Sequence, residues 1–266
     1  MSNLDQSVLK ALKLLEFLAT TEDGLRITEL SEKSGYPVST THRLLATLSA
    51  MGYVEQDPHT NRYHLGIKVL SLQAQAIRQR PLMRLAITYL NRLKQEVNET
   101  VNLGILSEKS IVYLESLVPD SSLAFYSPPG TKMPLHCTAT GKVLLAYMPA
   151  LERERLLASL PLPPATPNTI TSMMVLRNHL EEIQVRGYAI DDEEYAVGVR
   201  CIAAPIVDHR NQVIAGVSVT APANRLTPDR EEIVSSLVVG ACEAISRELG
   251  YPGSEGTRQR SDRQTR

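Results

Sequence analysis

The chain has 266 residues, 43% of them hydrophobic, and its 28 Lys and Arg against 29 Asp and Glu leave a net charge of -1. That length and apolar content suit one large domain or two unequal ones, each with its own core. The three cysteines, Cys137, Cys201 and Cys242, form no CxxC pair, which excludes a locally encoded disulfide framework or zinc knuckle. No run approaches the ~20 apolar residues that span a bilayer, and the opening MSNLDQSVLK lacks the apolar centre of a leader, so a soluble, cytoplasmic protein is expected.

In chain order, residues 6–19 carry Val8, Leu12, Leu15 and Leu18 at helical spacing and stop at TTEDG. Thr28 is positioned to cap a two-turn helix with Glu29 at its positive end, and Gly35 ends it. Pro37 then opens a helix over residues 38–50, which Gly52 stops. Residues 53–56 and 62–65 read as a β-hairpin around Asp57-Pro58-His59-Thr60-Asn61, and residues 66–79 as a linker helix that meets Pro81.

Beyond Pro81 the pattern becomes a longer mixture of helix and strand. Leu82, Leu85, Leu90, Leu93 and Val97 share one helical face; residues 101–106 and 111–117 read as strands, as do 122–127. A helix is expected from Thr140 to Tyr147, a proline-rich loop over 161–167, a helix over 176–186 and an extended segment over 188–191. A hairpin of residues 201–207 and 213–220 and a closing helix over 227–249 complete the unit, and the Ser/Gln/Arg-rich residues 253–266 are expected to be disordered. The predicted class is α+β with two domains. Residues 1–65 are expected to form a winged helix-turn-helix, 66–80 a linker helix, and 81–252 a second, α/β domain.

A short helix, a glycine turn and a second helix make a helix-turn-helix, and the hairpin that follows has the length of a wing. Projected at 100° per residue, the helix over 38–50 turns Val38, Thr41, Leu44, Leu45 and Leu48 to one side and Ser39, His42, Arg43, Ala46 and Thr47 to the other, with Thr40 at the edge. Short hydroxyls near a helix start donate to phosphates, and a longer donor reaches a base edge. Ser39, Thr40, Thr41, His42, Arg43 and Thr47 are therefore the candidate DNA contacts, with Arg62 of the hairpin as a backbone or minor-groove contact. An amphipathic helix with a solvated polar face is the bland alternative, and the uninterrupted order of the other elements weighs against it. Residues 1–80 are close to charge-balanced, so one module should bind DNA weakly and gain from a second copy.

These residues resemble a known family. Ile27-Thr28-Glu29-Leu30, Pro37-Val38-Ser39-Thr40-Thr41-His42-Arg43-Leu44-Leu45, Gly52-Tyr53-Val54 and Tyr63-His64-Leu65-Gly66 are similar to the winged helix of IclR-type bacterial transcriptional regulators. Pro134-Leu135-His136-Cys137-Thr138-Ala139-Thr140-Gly141-Lys142, Gly187-Tyr188-Ala189-Ile190-Asp191 and Gly198-Val199-Arg200-Cys201-Ile202 resemble that family's effector domain, so the likeness runs over nearly all of residues 6–252. It implies a GAF/PAS-like effector fold, a small-molecule ligand, and binding to double-stranded operator DNA as a homodimer or homotetramer. By motif it carries over Ala139, Thr140, Asp191, Cys201, Ser218 and Thr220 as effector-binding positions. The residues are compatible with this. Ala139 and Thr140 start a helix whose free N–H groups suit a carboxylate, and strand alternation puts Ser218 and Thr220 on one face.

The sequence points to a small organic acid as effector, with a sugar acid, an oxoacid and an aromatic acid all open. It points to no catalytic centre, metal or cofactor, since there is no GxSxG elbow, glycine-rich phosphate loop or HExxH spacing. Two other functions stay open at this point. One is a ligand-binding or interaction protein that uses its helix-turn-helix on another protein; the other is a thiol hydrolase built on Cys201, His136 and Asp191.

Overall fold

The computed structural model describes residues 4–119 and 125–252, which fall into two compact units divided between Arg80 and Pro81.

In the first unit, α1 (Gln6–Leu18) starts at Asp5, whose carboxylate accepts from the Ser7 and Val8 N–H groups at 2.8 and 3.2 Å. α2 (Ile27–Ser34) is capped at Arg26, two residues earlier than the Thr28 cap expected from sequence. The Glu29 carboxylate reaches back to the Arg26 N–H at 2.6 Å and satisfies that end instead. Gly35, at φ 71°, closes α2, and α3 (Val38–Ala50) follows Pro37. The wing is a hairpin of β1 (Val54–Gln56) and β2 (Tyr63–Leu65), its turn held by Asp57, which accepts from the His59 and Thr60 N–H groups. α4 (Ile67–Arg78) ends the unit. Leu14, Leu18, Leu25, Leu30, Leu44, Leu45, Val54 and Tyr63 form its core.

Two inward assignments are corrected here. Val8 and Leu12 are 55% and 52% exposed, and Val38 is 48% exposed. The apolar stripe of α1 is wider than the small core it serves. Leu14 and Leu18 fill that core, with Ala11 and Leu15 beside them.

The second unit is built on a six-stranded antiparallel sheet. Its strands are β3 (Thr100–Ser107), β4 (Ser110–Leu117), β5 (Lys132–Pro134), β6 (Ala189–Asp192), β7 (Val199–Val207) and β8 (Val213–Pro222), in the order β5-β4-β3-β8-β7-β6. α5 (Pro81–Val97) and α9 (Pro228–Glu248) pack on each other and on one face, while α6 (Ala139–Tyr147) and α8 (Met173–Arg186) cover the other. α7 (Ala150–Leu157) joins the α6–α8 layer through Leu157. The turn expected at residues 107–110 joins β3 to β4.

β5 and α7 are not apparent from sequence pattern. Each is short and is specified by what it packs on, β5 by pairing Met133 with Ile111 of β4. Of the strand expected over 122–127, residues 122–124 lie outside the described residues and 125–127 are not strand. The tail at 253–266 also lies outside them.

Candidate functional site

On α3 the structure exposes Ser39, His42, Arg43, Ala46 and Thr47 and half-buries Thr40. Thr41 is fully buried, and its hydroxyl donates to the Pro37 carbonyl at 3.2 Å, so it supports the helix and does not face DNA. Thr47 donates to the Arg43 carbonyl at 3.0 Å, which leaves its methyl and its hydroxyl oxygen, as acceptor only, for contact. Arg62 is tied down within the fold. Its guanidinium donates to the Gly24 carbonyl at 2.8 Å and meets Glu29 at 3.3 Å, fastening the wing to the start of α2. What remains outward is a small polar face with one long cation, Arg43.

In the second unit a cavity of about 160 Å³ opens over the α6 side of the sheet, and it brings together Ala139, Thr140, Asp191, Cys201, Ser218 and Thr220. Strand register explains the grouping. Asp191 stands opposite Cys201, Cys201 opposite Thr220, and Ser218 two residues along from Thr220 on the same face. The floor is a hydrogen-bonded row. Ser116 donates to Asn102 at 2.7 Å, the Asn102 amide donates to Thr220 at 3.2 Å, and Thr220 lies 3.3 Å from the Cys201 sulfur.

The opposite wall is the start of α6. Thr138 caps it, accepting from the Gly141 N–H at 3.2 Å, while the Lys142 N–H takes the Thr138 carbonyl. The Ala139 and Thr140 N–H groups have no protein partner among the described residues, as the first turn of a helix dictates. This end sits unusually close to its surroundings. A Cβ on Gly141 would lie 2.3 Å from the Leu135 carbonyl oxygen, and the Thr140 methyl rests on the cross-strand pair Gly104 and Gly216. Seated there, the buried Thr140 and Ser218 hydroxyls find no partner with hydrogen-bond geometry among the described residues.

The acidic run after β6 divides its work. Asp191 enters the cavity, its Oδ1 accepting from the Glu194 and Tyr195 N–H groups at 2.8 and 3.3 Å. Asp192 pairs with Arg200 at 2.7 Å, Glu193 accepts from the Gly198 N–H, and Glu194 forms a buried ion pair with Lys142. The His179 Nε2 lies 3.2 Å from the Lys142 ammonium and must accept from it, so its proton is on Nδ1, toward Glu182.

Burial raises Asp191 from its ordinary 3.8 to about 7, against the opposing pull of its two N–H donors and Lys142. Burial and then Lys142 lower His179 from 6.5 to about 4. Burial, then Asp191, pushes the Cys201 thiol well above its usual range, and His136 bonds to the Pro163 carbonyl at 3.1 Å. Cys201 is thus a protonated polar wall, with no general base activating it.

The signs of the two large shifts oppose. Asp191 holds its proton more tightly when folded, so its contribution is greatest below 3.8 and is lost as pH rises through 7. His179 resists protonation when folded, so its contribution is complete above 6.5 and is lost as pH falls through 4. Between 4 and 6.5 they offset one another. Urea unfolding of Asp191→Asn, which leaves His179 unopposed, should show stability falling as pH drops from 6.5 to 4 by on the order of 2 kcal/mol more than in the parent chain. Parallel pH profiles would contradict this.

Residues 7–58 match the IclR helix-turn-helix domain, and residues 74–247 match the domain described as bacterial transcriptional regulator IclR C-terminal. The chain belongs to the IclR family of transcriptional regulators. It is 36% identical over 245 residues to the HTH-type transcriptional regulator KdgR of Escherichia coli K12, covering 92% of this chain and 93% of that protein. It is 32% identical over 250 residues to the transcriptional repressor IclR of the same strain, covering 93% and 90%. The crystal structure of the Thermotoga maritima IclR superposes with a TM-score of 0.76 at 33% identity over 92% of this chain and 99% of that one. An IclR homologue from Microbacterium hydrocarbonoxydans, solved in complex with 4-hydroxybenzoate, shares the fold at a TM-score of 0.79 and 24% identity, covering 92% and 99%. The IclR-type chain is therefore a DNA-binding regulator and not an enzyme, with a winged helix-turn-helix ahead of an α/β domain. Among the described residues no helix is long and apolar enough to cross a membrane.

Pattern reading overlooked several residues around the cavity. Tyr113, Met133 and Tyr195 line it, Asn102 joins its floor, and the Lys142–Glu194 pair stands behind it. Two signals were present. Asn102 is a lone amide in the apolar run Val101 to Leu106, and Lys142 is a lone cation in an otherwise apolar helix.

Proposed function

We propose that the protein is a cytoplasmic repressor of a catabolic operon that loses or changes its hold on operator DNA when a small organic acid enters the cavity of residues 81–252. The observation carrying this reading is the cavity wall itself. Two free N–H groups at the α6 start line the same cavity as the buried Thr140 and Ser218 hydroxyls, which have only the Tyr113 phenol leaning on them, a set of groups that favours a carboxylate over water-filled space. The relative bound to 4-hydroxybenzoate supports an acid in this class of domain, and the relative named as a repressor supports the sign of control.

On this reading residues 1–65 form the winged DNA-reading module, 66–80 the linker helix and 81–252 the effector domain. DNA is held by Ser39, Thr40, His42, Arg43 and Thr47 of α3. Its charge-balanced module works as part of a homodimer or homotetramer. The acid shifts DNA affinity only as far as it prefers one state of that assembly over the other.

One paired experiment tests both halves. Gel-shift titration of a promoter fragment with Arg43→Ala should show at least about a tenfold loss of affinity, the loss of a donor worth about 1–3 kcal/mol. Cys201→Ala with Ser218→Ala should leave DNA affinity unchanged and blunt the response to acid. Unchanged binding by Arg43→Ala removes that residue from the interface, and an unblunted response removes this cavity as the effector site.

A further inference from the structure

We infer that the cavity takes a compact monocarboxylate and that the Asp191 carboxyl makes it reject dicarboxylates of the same length. This rests on the acid-responsive reading above and narrows it.

The electrostatic inventory is short. No Lys, Arg or His lines the cavity among the described residues, and its only carboxyl is Asp191. The nearest ammonium, Lys142, is fully buried behind the wall and already neutralised by Glu194. One anion therefore has one seat, the Ala139 and Thr140 N–H groups with the Thr140 and Ser218 hydroxyls. A second anion has no cation to meet and shares the cavity with Asp191. Burying such a charge unpaired is costly, and two like charges about 6 Å apart at an effective dielectric near 20 repel by more than a tenfold change in affinity requires.

A hydroxyl in the second anion's place meets no such penalty, because Asp191 accepts a hydrogen bond when ionised. Its Oδ1 is taken by the Glu194 and Tyr195 N–H groups, and its carboxyl shares the cavity with the Cys201 thiol, which stands across the strand pair from it. The remaining lining fits an apolar or flat body, with Tyr113, Phe125, Met133 and Val199 around the space. The volume of about 160 Å³ is close to that of an engineered cavity, about 150 Å³, that holds benzene, so the ligand's body is about that size.

The test is calorimetry on the full-length chain with two pairs of probes that differ in one group, 4-(hydroxymethyl)benzoate against terephthalate and 4-hydroxybutanoate against succinate. The expected result at about pH 8 is binding at least about tenfold tighter for the hydroxy acid of whichever pair fits, with the gap shrinking by about tenfold in Asp191→Asn. The parent chain supplies a second measure free of mutation. The groups facing Asp191 are Lys142 of α6, Glu194 and Tyr195 after β6, Cys201 of β7, Tyr113 of β4 and Cys137 ahead of α6. Burial holds the Asp191 carboxyl at about 7, so the gap should also narrow at about pH 6. A dicarboxylate that binds as tightly as its hydroxy partner, or a gap that neither Asp191→Asn nor lower pH alters, overturns the inference and leaves the acid-responsive reading standing. Saturable binding by none of the four, with DNA binding intact, overturns both.

Discussion

Lys142→Met is expected to destabilise the unit of residues 81–252 by about 3–5 kcal/mol, because it strands a buried carboxylate. Lys142 is fully buried and Glu194 nearly so, and Glu194 Oε2 already lacks a partner among the described residues. The loss should spread beyond the pair. The Glu194 carbonyl accepts from the Thr166 and Thr169 hydroxyls at 3.1 and 2.6 Å, so the same turn anchors the proline-rich loop. The matched double change, Lys142→Met with Glu194→Leu, removes both charges and should cost much less than the sum of the two single changes, since a buried pair contributes little net stability over an apolar replacement. Thermal and urea unfolding of the four chains checks this cycle. A single-variant cost near zero would mean that Glu194 finds another partner or takes up a proton.

Gly141→Ala is the second large effect, and its cause is steric. The added methyl carbon would lie 2.3 Å from the oxygen and 2.6 Å from the Cα of Leu135, both backbone atoms that no side-chain rotation can move. The start of α6 must then lift off residues 135–138, at a cost of about 3 kcal/mol or more. The Ala139 and Thr140 N–H groups would be displaced with it, so acid binding should fall further than stability alone explains. Gly240→Ala is the control. That glycine is exposed within α9, with nothing within 4 Å of the added carbon, and the substitution should stabilise by about 0.5–1 kcal/mol. Equal melting temperatures for the two variants would refute the close-approach argument.

The helix starts and stops of the first 80 residues are legible in sequence because they are local. Gly35, Pro37 and Gly52 punctuate the chain within a few residues of the groups they affect, and α3 emerged with the bounds its pattern implied. Thr41 and Arg62, both expected there as DNA contacts, instead have partners within the fold. Thr41 folds back on Pro37, and Arg62 reaches 38 residues along the chain to Gly24. Periodicity assigns a face, and packing decides which part of that face is used.

The same division holds for the cavity. Motif likeness named six of its residues, but their chemistry comes from neighbours distant in sequence. Asp191 is one of four consecutive acids that look alike in the text, and only burial beside β7 and α6 raises it to about 7 while Glu194, three residues on, becomes the counter-ion of Lys142. A sequence records which groups are present and their local spacing. It does not record desolvation or register, and these set the charge of a buried carboxyl.

By itself, then, the sequence determined the two-part architecture, the reading helix and the family, since each rests on short-range periodicity and ordered motifs. The tertiary structure alone decided that Thr41 is buried, that Arg62 is engaged by Gly24 and Glu29, and that Ala139, Thr140, Asp191, Cys201, Ser218 and Thr220 share one cavity. All three are outcomes of packing. They follow from which side chains find partners across the fold and which are left facing water or empty space.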